Sequence, residues 1–218
     1  ILFLTMARID SLDARGIYTD LLRKFFEERH SVYVVSPLER RNKKKTNLIK
    51  ENGGVILNIK TLNIQKTNII EKGLGILLIE NLFLSGIKKY FSTVKFDLII
   101  YSTPPITFSK VISYIKKRDN SFTYLLLKDI FPQNAVDLKM IKEGSLLHKF
   151  FLKKERRLYE FSDTIGCMSD ANKNFVLTHN SYINKDKVEV NPNSIFPLET
   201  FQTKEEKEDI KKKHGLPT

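Results

Sequence analysis

Tyr124-Leu-Leu-Leu-Lys-Asp-Ile-Phe-Pro-Gln-Asn134, with the two residues before it, is the stretch on which the fold turns. Phe122 to Leu127 is an apolar run with no polar face, the pattern of a parallel strand buried on both sides. It stops on the charged pair Lys128-Asp129. Pro132 then removes a backbone donor and prevents the strand from going on. In an open α/β sheet, ligands gather beyond the carboxyl ends of the strands. A charged pair at such an end is exposed at the rim of a buried strand. Asp129 has two readings at this point, a cap on the following turn or a ligand contact.

Working outward, the same grammar repeats. Phe96 to Tyr101 is a second buried strand, ending in Ser102-Thr-Pro-Pro105 ahead of a helix over Ile106 to Arg118. Ile1 to Met6 opens the chain as a strand. A polar loop into Gly16 follows, and Ile17, Leu21, Leu22 and Phe25 then recur at helical spacing. Val32 to Val35 and Val55 to Ile59 are further strands. Between them Pro37 to Lys50, with almost no apolar content, is expected to be a mobile loop. An apolar helix spans Ile69 to Phe91.

Downstream of Asn134, Leu146 to Phe161 is a basic helix. Asp163 to Met168 is a strand, and Ser169 is placed to cap a helix reaching His179. Lys187 to Val190 is a last strand, ending in Asn191-Pro-Asn-Ser194. Strands alternating with helices imply an α/β fold, a Rossmann-like doubly wound parallel sheet of about seven strands. The domain is expected over residues 1–195. Residues 196–218 read as a linker carrying a charged helix over Lys204 to Lys213.

The chain has 218 residues, with 41% hydrophobic and 28% charged, ordinary values for a globular domain. Its net charge of +12 and pI near 9.6 point to an anionic partner. The single Cys167 excludes an internal disulfide and a cysteine-built zinc site. His30, His148, His179 and His214 share no ligand spacing and read as surface residues, so no metal is expected. No apolar run is long enough for a spanning helix. No basic region precedes an apolar one, so no signal peptide is expected.

Absent motifs narrow the chemistry. The first loop lacks the glycine pattern of dinucleotide-binding dehydrogenases, and no P-loop or nucleophile elbow occurs. Gly16, at the head of the first helix, would let a phosphate or carboxylate approach free N–H groups, with Arg15 beside it; a plain turn glycine is the alternative. Ser102 and Thr103 would bond a ligand hydroxyl or cap the next helix, and Thr103 fits capping better. Parallel geometry should bring Met6–Gly16, Ser102–Pro105 and Lys128–Asn134 to one sheet edge.

In the basic helix, Leu146, Leu147, Phe150, Phe151 and Leu158 form an apolar face. Lys149, Lys153, Lys154, Arg156 and Arg157 cover much of the rest. Such a helix either packs on a core with a solvated basic side or docks on anionic lipid. The basic residues are spread over several segments and no nucleic-acid-binding module accompanies them, which argues against nucleic acid.

Taken together, five pieces resemble the N-terminal domain of a family 4 glycosyltransferase of the GT-B type. They are the first strand with its loop into Gly16, DLIIYSTPP at 97–105, YLLLKDIFPQNAVDLKMI at 124–141, LYEFSDTIGCMSDANKNFV at 158–176 and VEVNPNSI at 188–195. The family shows His-Asp or Arg-Asp before aromatic-Pro, where this chain has Lys128-Asp129 before Phe131-Pro132.

The resemblance implies the N-terminal half of a two-domain retaining enzyme whose C-terminal domain binds a UDP- or GDP-linked sugar. This half would hold a saccharide or polyprenyl-diphosphate-linked acceptor and bind no cofactor itself. Gly16 would face phosphates or acceptor, Asp129 would position the acceptor, and Lys128 would neutralise a diphosphate. Hexosyl transfer in capsule or exopolysaccharide synthesis is the implied setting, in the cytoplasm at the inner face of the cell membrane. A sugar-nucleotide epimerase of the same architecture and a non-enzymatic basic binding module are the rival readings.

Overall fold

The computed structural model of the chain describes residues 1–51, 53–197, 203–215 and 217. Strand β1 (Leu2–Leu4) is followed by α1 (Ile17–Glu27), β2 (Tyr33–Glu39), β3 (Asn47–Glu51) and β4 (Gly54–Thr61). Helix α2 (Ile69–Tyr90) leads to β5 (Leu98–Ser102), and α3 (Ser109–Asp119) to β6 (Phe122–Leu127). A short α4 (Gln133–Asp137) and a long α5 (Leu146–Phe161) precede β7 (Thr164–Cys167). Helix α6 (Asp170–His179), β8 (Val188–Val190) and α7 (Lys204–Lys213) come last.

The sheet runs β3-β4-β2-β1-β5-β6-β7-β8. Every neighbouring pair is parallel except β3 with β4. The seven parallel strands are those legible in the sequence, and β3 is an eighth.

It lies in the segment expected to be mobile, and that expectation is corrected. Pro37, Leu38 and Glu39 extend β2 alongside Ile59, Lys60 and Thr61. Proline is tolerated there because β1 ends opposite Val35, leaving β2 a partner on one side only. Asn47 to Glu51 then folds back on β4. Of the segment's lysines only Lys50 lies in this strand, where its charge suits a sheet edge by discouraging further pairing. Gly54, with φ 147°, makes the return possible, since a Cβ would collide with the Val32 carbonyl oxygen.

Alternation along the strands splits the core. Phe3, Val34, Ile56, Ile100 and Leu126 face one side, where Leu22 of α1 packs on them. Leu2, Leu4, Tyr101, Leu125, Leu127 and Ile165 face the other, covered by Phe83 of α2, Ile112 of α3 and Leu158 of α5. Phe83 stacks on Phe108, with ring centroids 5.1 Å apart. Each such buried side chain contributes about 1.5–3 kcal/mol. Tyr124 lies over Gly166, where a Cβ would come 2.5 Å from its hydroxyl oxygen.

Helix starts follow local chemistry. Asn68, Ser145, Ser169 and Thr203 each accept a hydrogen bond from the third residue onward, capping α2, α5, α6 and α7. At α3, Glu80 reaches in from α2 and accepts from Lys110 N at 2.5 Å. Thr103 therefore does not cap α3, and the helix begins at Ser109 rather than near Pro105. The surface reading of His148 is also overturned. It is 8% exposed, and its Nδ1 accepts from Gly144 N at 3.1 Å.

Candidate functional site

Chain order reverses at β1, which has β2 on one side and β5 on the other. Crossovers leave in opposite directions there and open a crevice at the carboxyl edge, the place where open α/β sheets take ligands. The three segments beginning at Met6, Ser102 and Lys128 follow β1, β5 and β6, three adjacent strands.

A row of hydroxyls forms the floor. Ser102 Oγ lies 3.5 Å from Thr5 Oγ1, and both residues are buried. Thr103 Oγ1 accepts from the backbone N–H of Lys128 at 3.0 Å and of Asp129 at 3.3 Å. It donates to the Asp129 carbonyl at 3.3 Å. One buried hydroxyl thus ties the end of β5 to the turn after β6 and sets the direction of both charged residues.

Lys128 is half-buried, and burial holds its ammonium below the ordinary lysine range. No carboxylate offsets that loss of solvation among the described residues. Asp129 is exposed and its carboxylate makes no hydrogen bond among them. Helix α4 starts four residues later with Pro132 at its cap position, so Asp129 does not cap it. The crevice presents a free carboxylate beside a partly desolvated cation.

Tyr18, in the first turn of α1, escaped the sequence reading. Burial raises its phenol, the Ser102 hydroxyl partly counters that, and the Asp129 charge raises it again. It also packs on Phe3, with ring centroids 5.1 Å apart. Only the effects of Ser102 and Asp129 on its phenol mark it as a candidate site residue.

Arg15 and Gly16 are differently engaged. Asp20 occupies the head of α1, accepting from Gly16 N at 3.4 Å and from Phe196 N at 2.9 Å. Its carboxyl is held below the usual range, chiefly by the Phe196 bond. Arg15 donates to the Phe196 carbonyl. Gly16 is extended, with φ 164°, a conformation any residue adopts. An anion reaching the first turn of α1 would meet the Asp20 carboxylate there.

Helix α5 carries the five basic candidates. Lys149, Lys153, Arg156 and Arg157 are exposed and Lys154 is half-buried over the Phe150 ring. Arg156 pairs with Glu160 at 2.9 Å and lies over Tyr182. The apolar face is split. Leu158 is buried, whereas Leu146, Leu147 and Phe150 lie exposed. In the second basic segment, Arg40 pairs with Glu71 at 2.8 Å and Arg41 with Glu39 at 2.6 Å.

No group of His, Cys, Asp and Glu able to hold a metal occurs among the described residues. Cys167 is buried, and burial pushes its thiol up to about 11, which suits a packing role. No helix among the described residues is long and apolar enough to cross a membrane.

No protein-family model and no curated protein matches the sequence. Solved structures do share the fold. A trehalose-6-phosphate synthase, OtsA, aligns over 99% of this chain and 52% of its own, at 13% identity and a TM-score of 0.60. HepE from Anabaena, in complex with UDP and glucose, aligns over 98% and 50%, at 11% and 0.54. A glycosyltransferase from Rickettsia africae aligns over 100% and 50%, at 18% and 0.51. The fold is that of the Rossmann-like domains of GT-B proteins, and the chain spans about half the length of these structures.

Proposed function

We propose that this GT-B-type domain is the acceptor-binding part of a retaining glycosyltransferase. Its full-length form would move a hexosyl group from a UDP- or GDP-sugar, bound in a second domain, to a saccharide acceptor carried on a lipid. Capsule or another surface polysaccharide is the product class, and the inner face of the cell membrane the working place.

The observation that carries this reading is the turn held by Thr103, which sets side by side, near the reversal of chain order, a Lys128 and an Asp129 that form no ion pair among the described residues. Complexes of the same fold support the donor class. HepE holds UDP and glucose, and a trehalose-6-phosphate protein from E. coli is bound with UDP-2-fluoro glucose.

Glycosyl transfer builds positive charge on the sugar and negative charge on the departing diphosphate. A cation already stripped of part of its hydration stabilises the latter without further reorganisation. Lys128 fits that role as a point charge. Asp129, an acceptor only, would hold an acceptor hydroxyl in line, and Ser102 with Tyr18 would border the sugar. Asp129 is the candidate catalytic residue of the resemblance, and the role this reading gives it is to position the acceptor.

The test is nucleotide release by the full-length protein with donor and extracted lipid-linked acceptor. Asp129→Asn is expected to lower turnover roughly 10- to 100-fold, about 1.4–2.7 kcal/mol of barrier, with unfolding unchanged. Unaltered turnover would remove Asp129 from the site.

A further inference from the structure

A cavity of about 570 Å3 opens between the head of α2 and the α4–α5 segment, beside the Lys128–Asp129 turn. This volume falls within the range of small-molecule sites, roughly 300–1,000 Å3. Its walls are apolar, among them Met6, Ile76, Pro105, Ile106, Phe131 and Phe151. Asn134, whose Oδ1 is buried without a hydrogen-bond partner among the described residues, also lines it. Lys66 and Lys72 belong to the lining too, and both are exposed.

The surface around the cavity is unusual. On α2 the exposed stripe of Ile70, Leu74, Leu77 and Leu78 lies on the helix face opposite Lys72 and Ile76 and points away from the cavity. On the α4–α5 side, Leu138 is 70% exposed, Met140 68% and Leu146 87%. Leu138 and Met140 are themselves part of the cavity wall, so exposed apolar side chains on this side continue into it. Lysines stand between these side chains. Lys139, Lys142 and Lys149 are exposed, against the acids Asp137 and Glu143 in the same segment. Protein interfaces are depleted in lysine, whereas apolar side chains interleaved with lysine suit an anionic lipid boundary.

We propose that this cavity takes the hydrocarbon chain of an anionic amphiphile from such a boundary, with Lys66 and Lys72 holding its phosphate at the mouth. The inference deepens the acceptor reading above and rests on it for the idea of a lipid-borne acceptor. Phosphate at the mouth would lie beside the crevice, and the chain would lie away from it. The lipid would then be oriented by the domain before any sugar is transferred.

The test is binding to the 218-residue chain of farnesyl phosphate, farnesol and inorganic phosphate, each followed by titration calorimetry. Farnesyl phosphate is expected to bind at least 10-fold tighter than either of the other two. Paired Leu138→Asp and Met140→Asp changes, at exposed positions, should weaken it at least 10-fold. Paired Lys66→Gln and Lys72→Gln changes should bring farnesyl phosphate and farnesol together.

Equal affinity for the phosphate and the alcohol in the unaltered chain would overturn the proposal. So would binding untouched by both pairs of changes, or inorganic phosphate binding as well as the amphiphile. Turnover by a full-length protein whose domain ignores all three probes would sink this inference alone. Tight amphiphile binding by a full-length protein that transfers no sugar would sink the glycosyltransferase reading alone.

Discussion

Replacing Thr103 by valine tests the geometry of the candidate site most directly. The two side chains are near-isosteres, so no cavity opens at a position that is 1% exposed. What disappears is one hydroxyl that accepts from Lys128 N at 3.0 Å and Asp129 N at 3.3 Å and donates to the Asp129 carbonyl. A buried N–H left without an acceptor costs about 1–3 kcal/mol. Asp129 is exposed, so its N–H can find water, and the main loss falls on Lys128 N. We therefore expect Thr103→Val to destabilise the domain by about 2 kcal/mol. Thr103→Ser, which keeps the hydroxyl and loses one methyl, should cost about 0.8 kcal/mol. Urea unfolding measures both, with the slope against denaturant unchanged. Hydrogen exchange supplies the local reading. If opening of the turn is favoured by 2 kcal/mol, the Lys128 amide should exchange about 30-fold faster in the valine variant and near-normally in the serine variant. Equal stability of the two variants, with the Lys128 amide equally protected, would refute the assignment of Thr103 as the tie between β5 and the site turn.

Three further outcomes are expected. Burial pushes the Glu155 carboxyl up from 4.5 to about 7, and the Tyr159 hydroxyl bond only partly opposes it. The folded state therefore holds a proton that the unfolded chain releases near pH 4.5. The stability this brings is complete below that pH and is lost as pH rises through about 7, by about 3 kcal/mol in all. Glu155→Gln should flatten this slope and gain stability at pH 8, read by urea unfolding at pH 5 and 8. Glu80→Ala should cost about 0.5–2 kcal/mol by uncapping α3, with Glu80→Gln nearer the parent; identical losses would mean that the carboxylate oxygen does not serve as the cap. Changing Lys149, Lys153, Lys154, Arg156 and Arg157 to Gln should abolish flotation with anionic vesicles, with losses approaching 1 kcal/mol per cation. Arg156, already paired with Glu160, should matter least, and binding by the parent should weaken with salt. Equal flotation with neutral vesicles would reject a lipid role for these cations.

The alternation of apolar runs with helical spacing was enough to place seven parallel strands. It also gave α5 its bounds, Leu146–Phe161, and Ser169 its capping role. These features are local: a strand buried on both faces has no polar positions, and a cap is one side chain answering one backbone N–H. The segment after Val35 misled because a polar, charged stretch suits a loop and an exposed edge strand alike. Only the β3–β4 pairing distinguishes them. His148 misled similarly, since its cover comes from the turn ahead of α5 folding over it.

The site divides in the same way. Lys128-Asp129 was legible as a charged end on an apolar strand, and Ser102-Thr103 as a polar end on another. That Thr103 serves the Lys128 turn rather than its own helix was not legible, because the two partners stand 25 and 26 residues apart along the chain. Tyr18 comes under the influence of Ser102 and Asp129 only through the packing of α1 on the sheet, and Asp20 meets Phe196 across most of the sequence. By itself, then, the sequence determined which segments are strands and helices, and which strand ends carry polar groups, since periodicity and local hydrogen bonding act within a few residues. The tertiary structure alone decided which of those ends meet, which charges stay unpaired and where an apolar cavity opens, because these depend on strand order and on solvent excluded by distant parts of the chain.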